Sequence, residues 1–468
     1  MLDKLMEINL KGKTVKTDKL HLGEGVLLGE DFPKVKDLYI PYKKRSTHFG
    51  CVGTTRIGKT KFISYLASQD ILAGNSVVVV DPKADNELLS SVISATIQAG
   101  RLNDLMFISP VYSDYSLRID PLAYYYVMDE IIDHVTSGIQ SNEEFFITIA
   151  EEITTAIVSS LVAQAYAKGE TPLINFFDIK QRITYESLRQ ILENMNFFSN
   201  HPDERVRQLA EETIMNVEHV LSSPQEYFGK VSSTLRTMLT AMTSSTTGKI
   251  IGRARTNEFI RRFEEGEPVI LYCNTGSLLL RRKAYTIGRI LISMIQASVG
   301  RAIVSGRKIN PPLCLYLDEG DTILYNGIEN MFNKAGGANV WLHFFTQSFS
   351  QVKKAVGQNI TESIIDNIST WIYMKVNCNE TASYIEEASP KKTIWKIIPS
   401  VADAKASFSM REEEERLILG ERVIKLKPRY FYMRHEGEFY KGRVPFIKPT
   451  KIKILFPDLR VKHAFVKS

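Results

Sequence analysis

Gly53-Thr54-Thr55-Arg56-Ile57-Gly58-Lys59-Thr60 spells a complete G-x-x-x-x-G-K-T phosphate-binding loop. It follows the short apolar run Phe49 to Val52 and opens a segment with helical spacing, the strand–loop–helix context that this motif needs. Glycines let the backbone wrap around a phosphate. Successive N–H groups, with the positive end of the helix dipole, hold its charge. In that arrangement Lys59 neutralises the terminal phosphates and the Thr60 hydroxyl ligates Mg²⁺. The competing reading is an ordinary glycine-rich turn, and the flanking strand and helix argue against it. The eight residues are thus expected to bind a nucleoside triphosphate.

Beyond the loop, Phe62, Ile63, Leu66, Ala67 and Ile71 keep helical spacing until Gly74, a natural left-handed cap. Val77 to Val80 is a four-valine run, as expected of a strand buried on both faces. Leu105–Ile108, Val269–Cys273, Leu313–Leu317, Trp341–Phe345 and Trp371–Val376 read the same way. Strands alternating with helices predict a parallel α/β sheet. From about Asp129 to Arg255 the rhythm changes. Val206, Leu209, Ala210, Ile214, Val217, Val220 and Leu221 recur at helical spacing, with no valine-rich run among them. The expected organisation is a β-rich lead-in over 1–45 and a nucleotide-binding α/β domain over 46–128 and 256–400. An all-α domain is inserted at 129–255, and a C-terminal β-hairpin extension covers 401–468. Within that extension Val423 to Phe446 alternates around Gly437 as a hairpin does, and the charge run Arg411 to Glu415 reads as a solvated face.

At 468 residues, two or three domains are expected. An apolar fraction of 44% with 24% charged residues describes an ordinary globular chain. The net charge of +6 permits a polyanionic partner without demanding one. Cys51, Cys273, Cys314 and Cys378 are far apart and form no C-x-x-C pair, so they read as small core residues in a reducing compartment. The longest charge-free stretches, Ile153–Ala167 and Ile290–Gly300, are too short and polar to predict a membrane span, and Met1-Leu2-Asp3-Lys4 lacks a signal core. A cytoplasmic protein is expected.

In a parallel sheet, ligands lie beyond the carboxyl ends of the strands. There the valine strand supplies Asp81-Pro82-Lys83, the strand Leu313–Leu317 supplies Asp318-Glu319, and the strand ending at Phe345 supplies Thr346-Gln347-Ser348. With the phosphate loop, these are the parts of an NTP hydrolase. Asp318 and Thr60 are expected at Mg²⁺, Glu319 at the attacking water and Gln347 at the γ-phosphate, with Glu319, Lys59 and Gln347 as the catalytic group. Asp81 and Lys83 are strand-end candidates, and Lys83 reads equally as a surface lysine. Asn333-Lys334 is followed by Ala335-Gly336 rather than by the aspartate of a guanine-reading N-K-x-D, so ATP is expected over GTP. Between Ser277 and Asp318 no acid occurs, against seven basic residues including Arg281, Arg282 and Lys283. The stretch either lines a channel for a DNA backbone or forms a helix face whose acids come from elsewhere. Arg429-Tyr430-Phe431-Tyr432-Met433-Arg434 has the mix for base stacking, but reads first as an amphipathic strand.

Taken together, these residues resemble the type IV coupling proteins, the TraD/TraG group of conjugation ATPases, and most of all its conjugative-element TraD branch. The likeness rests on residues 53–60, Asp81-Pro82-Lys83, Tyr316-Leu317-Asp318-Glu319 and Thr346-Gln347-Ser348, in family order. Leu28-Gly29-Glu30-Asp31-Phe32-Pro33 and Ile372-Tyr373-Met374-Lys375-Val376-Asn377 are less generic matches, and the likeness spans roughly residues 25–450. The resemblance implies a RecA-like P-loop domain with an inserted all-α domain. It further implies a homo-hexamer with the ATP site between subunits, and ATP-driven passage of a DNA strand through a central pore. DNA, a relaxase or effector proteins, and components of a type IV secretion channel are its implied partners. The family usually carries an N-terminal membrane anchor that this sequence does not show. A place at the inner face of the bacterial membrane would then require a partner or a segment outside this chain. Relatives also place an arginine downstream of Asp-Glu to reach a neighbour's ATP; here Lys334 or an arginine such as Arg281 or Arg282 is the trans-acting candidate. Two functions stay open at this point: a DNA-translocating ATPase delivering a relaxase–DNA substrate, and a coupling ATPase or receptor recruiting protein effectors without moving DNA itself. A chromosomal DNA pump is a weaker third.

Overall fold

The apolar runs that flank the phosphate loop become neighbouring strands of one sheet. The computed structural model describes residues 17–139, 144–222, 224–402, 405–457 and 459. Its strands are β1 (Lys19–Leu27), β2 (Lys36–Pro41), β3 (Phe49–Val52), β4 (Ser76–Asp81), β5 (Leu105–Ile108), β6 (Ile270–Asn274) and β7 (Leu313–Leu317). They continue with β8 (Val340–Thr346), β9 (Thr370–Tyr373), β10 (Lys391–Ala402), β11 (Lys405–Arg416), β12 (Tyr430–His435) and β13 (Glu438–Arg443). Eleven strands form the main sheet in the order β2-β1-β13-β12-β9-β3-β8-β7-β4-β6-β5. From β9 to β5 every neighbour pair is parallel, and β3 lies between β8 and β9. The phosphate loop therefore leaves the middle of the sheet, where both flanking strands hold it.

The four-valine run shows why the sheet needs two apolar faces. Side chains alternate across a strand. Val77 and Val79 join a core with Phe62, Ile63 and Leu66 of helix α1 (Lys59–Ala73) and Leu89 and Val92 of helix α2 (Asn86–Ala99). Val78 and Val80 join a second core on the opposite face with helices α3 (Met128–Ser137) and α4 (Arg282–Val304). α1 ends where the sequence predicts, at Gly74, whose φ of 90° places it in the left-handed region.

Between β5 and β6 the described residues hold helices, among them Glu144–Ala167, Tyr185–Phe198, Glu204–Leu221 and Ser233–Thr243, and no strand. One isolated bridge, Ile119 to Asn257, sits at their base. In Glu204–Leu221 the buried set is Val206, Ala210, Thr213, Val217 and Val220, while Leu209, Ile214 and Leu221 of the face read from spacing are only partly buried. The chain leaves and returns side by side: Asp120 N–H donates to Thr256 O at 2.8 Å, and Asn257 Nδ2 donates to Asp120 O at 3.1 Å. By length and apolarity alone, Phe145–Ala167 and α4 would each be long enough to cross a membrane, contrary to the reading of charge-free stretches. Half and two-thirds of their most apolar windows are buried in the protein, so this apolar surface is largely engaged in core packing.

The early strands meet the late hairpin. β1 pairs with β13, and β12 pairs with β9, so the lead-in and the late hairpin together extend the parallel sheet by four antiparallel strands. The hairpin turns at Glu436 and Gly437, both with positive φ. The charge run Arg411 to Glu415 is part of β11, which pairs with β10 in a separate two-stranded ribbon. There Glu413 and Glu414 face Lys396 and Lys391.

Candidate nucleotide site

The phosphate loop is anchored from both sides. Gly53 N–H donates to Thr346 O at the end of β8, and Thr54 N–H donates to Lys375 O just beyond β9 at 2.7 Å. Asn377 Nδ2 adds a hydrogen bond to Thr54 Oγ1 at 3.1 Å. The Ile372-to-Asn377 motif thus gains a physical role that spacing did not reveal: it clamps the first turn of the loop. A Cβ on Gly53 would lie 2.8 Å from Met374 Cβ, so this clamp requires glycine. Gly58, with φ of 110°, starts α1.

Lys59 is buried, and its ammonium donates to the carbonyl of Gly53 and, at 3.0 Å, to that of Thr54. Burial lowers its pKa. A buried ammonium held only by neutral carbonyls is poised to exchange them for a stronger anionic acceptor. Thr60 Oγ1 donates to Asp318 Oδ2 at 3.3 Å. Asp318 is fully buried at the end of β7, and its Oδ1 accepts from Glu319 N–H at 2.9 Å. A hydroxyl beside a buried carboxylate is an oxygen-ligand pair that suits Mg²⁺.

Glu319 adopts φ 46° and ψ 44°, a left-handed conformation uncommon outside glycine, as it leaves β7. That turn carries its carboxylate to Lys83 Nζ at 3.1 Å, while Lys83 also lies 3.7 Å from Asp318. Gln347 Nε2 donates to the same Glu319 oxygen at 3.5 Å. Burial works against the Lys83 charge, but the Asp318 and Glu319 carboxylates outweigh it and raise its pKa. The structure therefore gathers Lys59, Thr60, Lys83, Asp318, Glu319 and Gln347 into one cluster. Asp81 stands behind it and shapes a turn. Its oxygens accept Lys83 N–H at 3.0 Å, Asp85 N–H at 2.6 Å and the Tyr272 hydroxyl at 2.5 Å. Burial pushes Asp81 up to about 6, against the Tyr272 hydrogen bond.

The remaining candidates lie apart from this cluster. Arg281, Arg282 and Lys283 sit at the start of α4, beside the exposed Leu278 and Leu279, and make no ion pair among the described residues. Further along the same basic stretch, Arg301 pairs with Glu130 and Glu264, and Arg307 with Glu264. So the stretch divides: its second half is a helix face with acids supplied from elsewhere. Lys334 is exposed at the end of Glu329–Lys334, away from its own chain's phosphate loop. In β12, Phe431, Tyr432 and Met433 are buried, so these rings pack the sheet rather than offer a free stacking face.

Residues 312–428, from β7 past the ribbon, match a family model described as the TraM recognition site of TraD and TraG. The bacterial conjugative coupling protein TrwBdeltaN70 superposes with a TM-score of 0.64 at 15% identity, covering 93% of this chain and 90% of that one. The fold is that of a type IV coupling protein. The plasmid coupling protein TrwB in complex with ADP and Mg²⁺ matches with a TM-score of 0.62 at 15% identity, covering 94% and 97% of the two chains. TrwB in complex with the GTP analogue GDPNP matches at 0.63, also at 15% identity, covering 94% and 98%. A comparison with curated protein sequences finds no match.

Proposed function

We propose that this chain is an ATP-driven type IV coupling protein, a motor that delivers a relaxase–DNA substrate to a conjugative secretion channel. The observation that carries the reading is the cluster at the strand ends: a phosphate loop closed on its own lysine, beside two carboxylates held at one lysine. The coupling-protein fold, and TrwB structures holding ADP with Mg²⁺ or the ATP analogue ADPNP, support it. Because TrwB is also seen with GDPNP, the missing guanine motif does not by itself choose the base, and ATP and GTP are compared directly below.

Thr60 and Asp318 would hold Mg²⁺, which neutralises charge on the phosphates when bound. The loop's N–H groups and Lys59 bind and orient the triphosphate. Glu319 accepts a hydrogen bond from the attacking water, and Gln347, bonded to Glu319, fixes where that carboxylate points. Lys83 keeps the Glu319 charge in place until nucleotide competes for it. Arg281 and Arg282, both exposed, and the half-buried Lys283 make no ion pair among the described residues and are the DNA-facing candidates, and Lys334 is the candidate to act on a neighbour's ATP in a hexamer.

The test is hydrolysis of ATP and of GTP by purified protein, without DNA and with single- or double-stranded DNA, using Lys59→Ala as control. Lys59-dependent turnover stimulated by DNA is the expected result. DNA affinity unchanged in a triple variant with Arg281, Arg282 and Lys283 all replaced by glutamate would remove the channel assignment. A second reading, a receptor that recruits protein substrates to the membrane channel, draws support from the recognition-site match over 312–428. Lys59-dependent turnover indifferent to DNA but raised by a relaxase would favour it.

A further inference from the structure

Away from the phosphate loop, a cavity of about 1350 Å³ opens on the other face of the sheet. Its walls are α3, α4, the segment that follows Glu319, and the start of helix α5 (Phe349–Asn367). Arg289 of α4 lines it and is only 5% exposed. Among the described residues its one hydrogen bond is donated by Nη2 to Thr322 O at 3.2 Å, while Nε and Nη1 have no partner. No carboxylate pairs with it among the described residues. Burial, with no opposing charge, lowers its pKa to about 10.

A buried cation without a counter-charge is costly, and an anion supplied from outside would offset that cost. The rim of the cavity adds cations that are exposed rather than buried. Lys334 and Lys354 line the cavity, are exposed, and make no ion pair among the described residues. The same walls also carry Glu130, Asp133, Glu151 and Asp321. A polyanion with charge at every step would be repelled by these carboxylates, whereas a polypeptide can place single acids opposite the cations and apolar side chains elsewhere. Tyr285, Tyr325 and Val304 supply the apolar wall.

We propose that this cavity binds an acidic polypeptide segment of a partner protein, with one carboxylate compensating Arg289. The site is joined to the nucleotide cluster by three residues of chain. Thr322, whose carbonyl holds Arg289, lies three residues after Glu319 in the 3₁₀ turn Gly320–Ile323, and Asp321 in the same turn accepts from the Thr346 hydroxyl at 2.8 Å. Occupancy of the cavity is therefore expected to shift the turn that sets Glu319. That coupling rests on the function proposed above, whereas peptide binding does not.

The experiment measures binding of a fluorescein-labelled octapeptide alternating glutamate and leucine, by anisotropy, against its glutamine–leucine counterpart. Both are followed in wild type and in the Lys59→Ala, Arg289→Met and Ala297→Trp variants. Ala297 lies on the cavity wall eight residues beyond Arg289 on α4, so the tryptophan fills space while the arginine itself is kept. The expected result is preference for the acidic peptide, retained in Lys59→Ala and weakened at least tenfold in both cavity variants. A melting temperature of Arg289→Met equal to or above that of wild type is also expected, because an uncompensated charge is removed. Equal binding of both peptides, or unchanged binding in Ala297→Trp, would overturn the proposal. So would a large drop in melting temperature for Arg289→Met, which would make the arginine structural. Arg289-dependent binding of oligo-dT in place of the peptide would overturn the polypeptide assignment. Peptide binding with no turnover in any form would leave this site standing and sink the motor instead.

Discussion

Lys83 is the residue whose role the tertiary structure changes most. In sequence it is as good a surface lysine as a functional one; in the fold it lies between Asp318 and Glu319. Removing its charge frees Glu319 without touching the phosphate loop. Lys83→Ala is therefore expected to lower kcat on the order of tenfold while leaving ATP affinity within about twofold. Steady-state kinetics beside a nucleotide-binding isotherm separate the two. Glu319→Gln keeps the shape and loses the acceptor charge, so it should bind ATP normally and lose on the order of 10²-fold or more in turnover. Turnover at the wild-type rate would remove Glu319 from the chemistry. The phosphate loop, Asp318 and Glu319 were legible because each stands immediately after a recognisable apolar strand. Asn377 and Arg289 were not, since one acts through a loop far away in sequence and the other through the absence of a partner.

At the level of elements, a buried network fastens α1 to the sheet. Asp70, on the last turn of α1, accepts Arg45 Nη1 at 2.5 Å and Nη2 at 2.6 Å, the Tyr316 hydroxyl at 2.5 Å and Asn75 Nδ2 at 3.0 Å. Burial alone would raise the Asp70 pKa; the Arg45 guanidinium outweighs it and holds the carboxyl down to about 2. Because the folded value is depressed, this stability is fully present above the usual carboxylate range and is lost as pH falls through about 2. Asp70→Asn leaves Arg45 buried without its counter-charge and should cost about 3–5 kcal/mol in denaturant unfolding. Replacing Arg45 as well, by methionine, should recover a large part of that loss. Asp120, at the base of the helical segment, has the opposite sign. Burial pushes it up to about 7, against a hydrogen bond from Leu122 N–H. A raised carboxyl is best tolerated below its ordinary pKa, and the penalty grows as pH climbs toward the folded value. Asp120→Asn should therefore stabilise the protein at pH 8 by on the order of 1–3 kcal/mol and leave it unchanged near pH 4. Equal effects at the two pH values would show that Asp120 is not the source. The Asp70 network was not readable beforehand, because it joins residues remote in sequence around one buried carboxylate. The Asp120 shift was not readable either, because its carboxylate is bonded locally and only the packing of distant segments buries it.

Over the whole molecule, the early strands β1 and β2 and the late strands β12 and β13 complete the sheet that the middle begins. β12 covers the β9 edge and β13 receives β1, so a chain ending at residue 427 would expose a strand edge and leave β1 unpaired on that side. Such a truncation is expected to be insoluble, or to melt at least about 5 °C lower, in a comparison of soluble yield and thermal scans. A truncated chain as soluble and stable as the full one would mean that the two hairpins fold without supporting the parallel strands. The sequence by itself determined what local pattern can encode. Seven apolar runs became the seven parallel strands, the last reaching only Tyr373, and Gly74 ended α1. The helical spacing of Val206 to Leu221 fell within a single helix. These features were readable because side-chain period and backbone preference act over a few residues. Only the tertiary structure decided that β1 would lie beside β13, that Asn377 would clamp the phosphate loop, and that Lys83 would turn inward to Glu319. It also left Arg289 buried with Nε and Nη1 unpartnered among the described residues. Those outcomes depend on which distant groups share a low-dielectric interior, where an ion pair gained or missing outweighs any local preference.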